Sequence, residues 1–329
     1  MLALGCVYLV ATERTTTRRG QLRVSPPPVF LSPQSEASID VPLLPLLVKK
    51  IRSPRVATNP AGALVVFPWP HWRRPNVTLE AALIYETPFV RVESHTVLWG
   101  GGSKGRRIRT TRDWVWIDIA EQINVLVTVT FESIAQGVGL YKKQGRLFPP
   151  METLYGETDK VLVEFIRRVS NSKEAIIGPP MGSDAAQDEL YLLFRQSKYG
   201  LETESLAVVG GLMEVTEIGR PLIAAKREVH EELGISRCDG GFHSLGSFRT
   251  DTNRGGGTVS SFLARRCWFD ADSDPEHDQN RDLEEQKRVV VSRAMLKRVV
   301  MHDPELTSTA LRVDEVKWSN TIALALLVE

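Results

Sequence analysis

No run of apolar residues reaches the roughly twenty that a membrane-spanning helix needs. The longest near the start, Met1 to Ala11, falls short, so no membrane insertion is expected. Cysteine is scarce as well. Cys6, Cys238 and Cys267 are odd in number, far apart and without any C-x-x-C pair, which argues against a disulfide framework and a structural zinc site and points to a reducing compartment. An excess of one charge is also missing: 41 Lys and Arg against 40 Asp and Glu leave a net charge of +1. That balance gives no global field to draw a polyanion, although local basic clusters can still do so. The six histidines have no ligand spacing, and no serine or cysteine nucleophile motif stands out.

What is present suffices for a large core, with 42% hydrophobic and 25% charged residues in 329. Proline is concentrated early, at Pro26 to Pro28 and from Pro42 to Pro70, so residues 1–85 read as a leader and an irregular arm with no regular helix. Behind the apolar start, Arg14 to Arg23 is rich in Thr and Arg, with Glu13 the single acid before Glu36. That composition suits an organelle transit peptide and a mitochondrial address; a disordered leader on a cytoplasmic chain, or a short secretory hydrophobic region with no small-residue cleavage pattern after it, are the other readings.

Residues 86–329 read as the folded domain. Phe89 to Trp99, the glycines Gly100 to Gly102 and Trp114 to Ile119 predict a β-hairpin within 86–120. The β-branched run Ile123 to Val129 predicts a buried central strand. An insertion at about 131–187 carries an amphipathic helix at Lys160 to Val169. Strands follow at Leu190 to Arg195 and Leu206 to Val209. After them come a loop, a helix from Leu222 to Leu233 closed by Gly234, strands near 244–248, 259–264 and 288–291, and a last helix near 319–327. Strands and helices mix without strict alternation, which predicts an α+β fold with a mixed sheet.

The helix ending at Gly234 carries the chemistry. In Arg227-Glu228-Val229-His230-Glu231-Glu232-Leu233-Gly234, the carboxylates of Glu228, Glu231 and Glu232 stand at i, i+3 and i+4 and share a face. Left uncompensated they repel one another; a divalent cation such as Mg²⁺ or Mn²⁺ would reverse the sign. The bland reading is a solvated helix with an Arg227–Glu231 ion pair.

Together with Gly211 and Glu217 upstream and Ile235 downstream, this segment resembles the signature loop and helix of the Nudix hydrolase superfamily. The flanking runs Trp114 to Val129 and Leu190 to Glu329 are similar to the branch acting on ADP-ribose and nucleoside diphosphate sugars. The resemblance implies an α/β/α sandwich with a mixed sheet, Mg²⁺ or Mn²⁺ as cofactor, and hydrolysis of a phosphoanhydride in a nucleotide-containing substrate. It further implies Glu228, Glu231, Glu232 and the Gly211 carbonyl as metal ligands, Arg227 as the residue orienting them, Glu231 or Glu284 as base, and an N-terminal β-region that can dimerise or bind a partner protein. One spacing departs from the pattern: nine residues separate Glu217 from Arg227 where seven are usual, so either the loop is longer and Glu217 still serves, or that acid is absent.

Other site residues are Arg195, Gln196 and Lys198, whose donors suit a diphosphate, or else form a strand-edge ion pair. Arg249 and Arg254 flank a polar loop that either closes over substrate or is an ordinary hairpin tip. A second reading keeps the chemistry but takes 5′-triphosphorylated RNA as substrate, with Arg52, Arg55, Arg73, Arg74 and the Lys104 to Arg112 segment on its backbone. A third makes the chain a non-catalytic binding or scaffold subunit.

Overall fold

The computed structural model describes residues 56–58, 64–66, 77–87, 90–99, 109–171, 189–197, 204–217, 219–270, 286–301, 303 and 316–328. The chain falls into two compact units, Met1–Pro45 and Leu46–Glu329, and every described residue lies in the second.

Two short strands, β1 (Val56–Thr58) and β2 (Leu64–Val66), pair antiparallel. After them β3 (Thr78–Glu86), β4 (Val90–Trp99) and β5 (Arg109–Ile119) form an antiparallel sheet in that order. The expected hairpin is present as β4 and β5, but β3 precedes it in a stretch read as irregular. Proline bars helix, not extended chain, and Thr78–Glu86 is a proline-free interval with Leu, Ile and Tyr.

The larger sheet contains β6 (Gln122–Val129), β7 (Met151–Thr153), β8 (Leu190–Ser197), β9 (Glu204–Ala207), β10 (Val209–Leu212), β11 (Ile235–Arg249), β12 (Thr258–Phe269) and β13 (Gln286–Val291). Its order is β11-β12-β6-β8-β13-β7, with β10 on β6 and β9 on β8. The β6–β12 and β7–β13 pairs are parallel and the others antiparallel. The fold is therefore α+β with a mixed sheet, as the order of elements predicts. The central position of β6 explains its sequence, because Ile123, Val125, Leu126, Val127 and Val129 are all buried on one face or the other.

The helices are α1 (Phe131–Lys143), α2 (Lys160–Asn171), α3 (Pro221–Leu233), α4 (Arg293–Val300) and α5 (Val316–Val328). The sequence reading missed α1, although a capping box between Thr130 and Ser133 opens it. The segment read as an insertion is part of the core: Phe131 of α1 meets Phe165 of α2 edge to face at 5.0 Å, and β7 extends the sheet. Adjacent residues of a strand point to opposite faces. Gly211, paired with Ile123, lies under α3, while Ser261, paired with Asn124, bonds Thr321 of α5 at 2.9 Å. Thus α3 and α5 cover opposite faces, and the layers are α/β/α.

A second correction concerns the cysteines. Cys238 and Cys267 form a disulfide across β11 and β12, where they are register partners. Their 29-residue separation concealed this, because the pairing depends on bulges in β11 that no spacing rule reveals.

The sheet forks at its centre. Strands β6 and β8 pair only between Val127–Val129 and Leu190–Leu192. Beyond that contact they part, and the chain from Glu204 to Leu212 descends along β8 as β9, turns at Val208 and ascends along β6 as β10. Ser205 stands on one arm of this fork and Gly211 on the other. At the opposite end, Glu189 accepts a forked pair from Arg265 (2.6 and 3.1 Å) and a bond from Thr128 (2.7 Å), tying β12, β6 and β8 together. Burial works against the charge on Glu189, but these donors outweigh it and hold its carboxyl below the usual range.

Candidate active site

Pro221 opens α3 at the first helical position, where its missing N–H costs nothing. Ala224, Ala225, Val229 and Leu233 turn inward, and small alanines let the helix sit close to the sheet. Gly234 takes the left-handed conformation (φ 68°, ψ 38°) and its N–H bonds the His230 carbonyl at 2.8 Å. His230 itself is exposed.

The loop before α3 resolves the spacing question. Val215–Glu217 is one turn of 3₁₀ helix, with Glu217 N–H on the Glu214 carbonyl (2.9 Å) and Arg220 N–H on the Glu217 carbonyl (2.8 Å). Gly219, at φ 70°, provides the left-handed step by which the two additional residues are accommodated. Glu217 is consequently buried, accepts the Glu214 N–H at 2.8 Å, and faces Arg227. The loop thus brings Glu217 into contact with Arg227.

Arg227 is the centre of the cluster. Its Nε donates to Glu217 Oε1 (2.8 Å) and its Nη2 to Glu217 Oε2 (3.1 Å), a bidentate fork. Nη2 also donates to the Leu212 carbonyl (3.0 Å), and Nη1 lies 2.8 Å from both Glu228 Oε1 and Glu231 Oε2. Contrary to the expectation of uncompensated acids, one guanidinium sits among three carboxylates. A single cation cannot balance three anions, and the electrostatics show where the imbalance falls. Burial works against the charge on Glu217, but the Arg227 fork and the Glu214 N–H hold its carboxyl below the usual range. Burial, reinforced by Glu231 and Glu217, pushes the Glu228 carboxyl up to about 7 despite Arg227 beside it.

Glu228 is inserted against the backbone of β10. A Cβ built on Gly211 would fall onto the Glu228 carboxylate, so only glycine permits this approach. Gly211→Ala is expected to displace Glu228 and cost roughly 1–3 kcal/mol through overpacking. Thermal denaturation checks this, and a melting temperature equal to that of the wild type would contradict the packing.

Glu232 presents its backbone carbonyl to Arg288 Nη2 (3.0 Å) near the end of α3. Among the described residues no group of three or more His, Cys, Asp or Glu side chains is placed so that it could hold a metal ion. By chemistry alone, the α3 acids are the hard oxygen donors that a cation such as Mg²⁺ prefers. Glu228, Glu231 and Glu232 offer carboxylate oxygens on one helix, and the Gly211 backbone is adjacent to Glu228.

The remaining sequence candidates separate. Arg195 faces away from α3, in ion pairs with Glu152 (2.7 Å) and Glu204 (3.7 Å), so of its two readings the ion pair is the one seen. Gln196 is buried on the α3 face. Arg249 ends β11, and Arg254 lies in the tip between β11 and β12. That tip docks on β5: Ile117 N–H bonds the Arg254 carbonyl (2.7 Å), Trp114 Nε1–H bonds the Asn253 carbonyl (3.1 Å), and Trp116 packs on Gly255. It is a hairpin tip anchored to the smaller sheet. Lys198, Glu284, Arg52, Arg55, Arg73, Arg74 and residues 104–108 lie outside the described residues. Sequence reasoning overlooked Arg288 and Ser205, whose only signal is a polar residue at a position buried on the α3 face.

The chain matches no family model and no curated protein. Among solved structures it is similar to one described as a crystal structure of ADP compounds hydrolase, with 12% identity and a TM-score of 0.42, covering 84% of this chain and 94% of that one.

Proposed function

We propose that the chain is a metal-dependent hydrolase that cleaves the phosphoanhydride of a nucleoside diphosphate-linked compound, with α3 as its catalytic element. The observation that carries this reading is the buried charge imbalance: among the described residues one guanidinium, Arg227, pairs with Glu217, Glu228 and Glu231 at once, with Glu228 seated against Gly211. The resemblance of the same segment to the Nudix signature supports it.

Glu228, Glu231 and Glu232, with the Gly211 carbonyl, would hold Mg²⁺ or Mn²⁺, which when bound would polarise a phosphoryl oxygen and offset negative charge there. Arg227 positions the acids, since one planar fork fixes Glu217 while its other edge reaches Glu228 and Glu231. Glu231 is the most exposed of the three acids bound to Arg227, which leaves it open to solvent. Its carboxylate accepts a proton from the attacking water as the water oxygen bonds phosphorus and the bridging P–O bond breaks. Glu284 is the other base that the resemblance implies.

Assays of the full chain on ADP-ribose, ADP-sugars, UDP-sugars and 5′-triphosphorylated RNA, with Mg²⁺ or with EDTA, test the reading. Turnover is expected with Mg²⁺ only, and Glu231→Gln and Glu232→Gln should each lower kcat/KM by about 100-fold or more. Undiminished activity in both variants, or no turnover of any substrate by the wild type, rejects it.

A further inference from the structure

We propose that Gln196 and Ser205 form a phosphate-binding donor pair on the face of the sheet that α3 covers. The inference rests on the hydrolase reading and deepens it by placing part of the substrate site.

Gln196 of β8 is the direct register partner of Ser205 on β9 and of Gln286 on β13, so three polar side chains stand in a row across adjacent strands. Their face is fixed by Arg288. It lies two residues beyond Gln286 on β13, on the same side, and donates to the Glu232 carbonyl of α3. Alternation along β8 gives the rest: Leu192, Phe194 and Gln196 face α3, whereas Leu193 and Arg195 face away. The Arg195-Gln196 pair is therefore divided between the two faces, and Gln196 is the member on the α3 side.

Gln196 is 3% exposed and Ser205 1%, yet the Gln196 Nε2 and the Ser205 Oγ have no hydrogen-bond partner among the described residues. Burying a donor without an acceptor is unfavourable, and neighbouring positions on this face, Phe194 and Ala207, show that apolar side chains fit there. Two such groups on facing positions of adjacent strands suit a shared ligand rather than two separate accidents. The chemistry of that ligand follows from theirs. An amide N–H and a hydroxyl are donors, and the Arg288 guanidinium adds positive charge to the same face, so the partner is an anion rich in acceptor oxygens, as a phosphate is. Ser205 and Gly211 occupy the two arms of the fork between β8 and β6. A diphosphate would thus be held from the β8 arm by these donors, and on the β6 arm only through the cation that the acids of α3 would carry.

Calorimetric titration of the full chain with ADP and with UDP, in EDTA and in Mg²⁺, tests the pair through Ser205→Ala and Gln196→Met. Each variant is expected to weaken both nucleotides by roughly ten-fold in either condition, while the melting temperature of the ligand-free protein stays the same or rises. Because the two substitutions lie on different strands, one that fails to fold leaves the other to decide. Wild-type affinity together with a lowered melting temperature makes the pair structural and overturns the proposal. A loss confined to one nucleotide assigns the pair to the base and overturns it likewise. If the wild type hydrolyses its substrate and both variants bind normally, only this proposal falls. If the wild type neither binds ADP or UDP nor turns over any substrate, the hydrolase reading falls and the pair falls with it.

Discussion

Replacing Arg227 by leucine is expected to cost roughly 3–5 kcal/mol of stability in the metal-free protein, the usual result of removing one partner from a buried ion pair. At about 2 °C per kcal/mol for a domain of this size, the melting temperature should fall by roughly 6–10 °C. Glu217 bears most of the cost. It is 3% exposed, and without the guanidinium fork it would retain the single N–H of Glu214. Substituting Glu217→Gln in the same chain should restore part of the loss, because the orphaned charge is then gone. Lysine at 227 should not substitute, since a point charge cannot span Glu217 and the Leu212 carbonyl at once. Denaturation in EDTA is the measurement. A single variant that melts within about 2 °C of the wild type would show that this cluster does not hold the loop to the helix.

Glu228→Gln should have the opposite effect on stability and a dependence on pH. In the folded chain the Glu228 carboxyl titrates near 7, against about 4.5 when unfolded. As pH rises, the unfolded chain releases this proton first, so the folded chain binds more protons across that interval. The contribution of Glu228 to stability is therefore complete below about pH 4.5 and has drained away by about pH 7. Glutamine carries no such penalty. The metal-free variant is expected to match the wild type near pH 4.5 and to exceed it by on the order of 2–3 kcal/mol at about pH 8. Added Mg²⁺ should raise the melting temperature of the wild type more than that of the variant, and hydrolysis by the variant should be lost. Equal stability of the two proteins in that alkaline buffer would overturn the assignment. Glu217 acts with the other sign: its lowered carboxyl contributes stability that is present above the usual carboxylate range and is lost as pH falls beneath it.

The acidic helix was legible because its signals are local: apolar residues at helical spacing and a glycine end predict Leu222 to Leu233, and α3 runs from Pro221 to Leu233. The central strand β6 was legible for the same reason. Contacts made across the sheet were not. Counting residues left Glu217 ambiguous, because a count contains no record of a 3₁₀ turn and a left-handed glycine shortening the path. Arg195 and Gln196 are adjacent in sequence but belong to opposite faces of the sheet, and only the position of α3 shows which one can serve the site. The start of β11, Ile235 to His243, escaped notice because its bulges and glycines break the alternation that marks a strand. Those bulges also set the Cys238–Cys267 register.

That disulfide lies four residues beyond Gly234. The same end of α3 is held by the Asp270 N–H on the Gly234 carbonyl (2.7 Å) and by Arg288 on Glu232. At the other end no side chain caps the helix, the Arg220 guanidinium bonding the Thr216 carbonyl instead, and Leu222 and Ile223 are exposed. The helix is thus tied to the sheet where it leaves, and where it enters it is held by its own loop through Glu217. Local opening of α3 is therefore expected to start at Pro221 and to be limited by Arg227, so that amide exchange should be faster before Arg227 than after it.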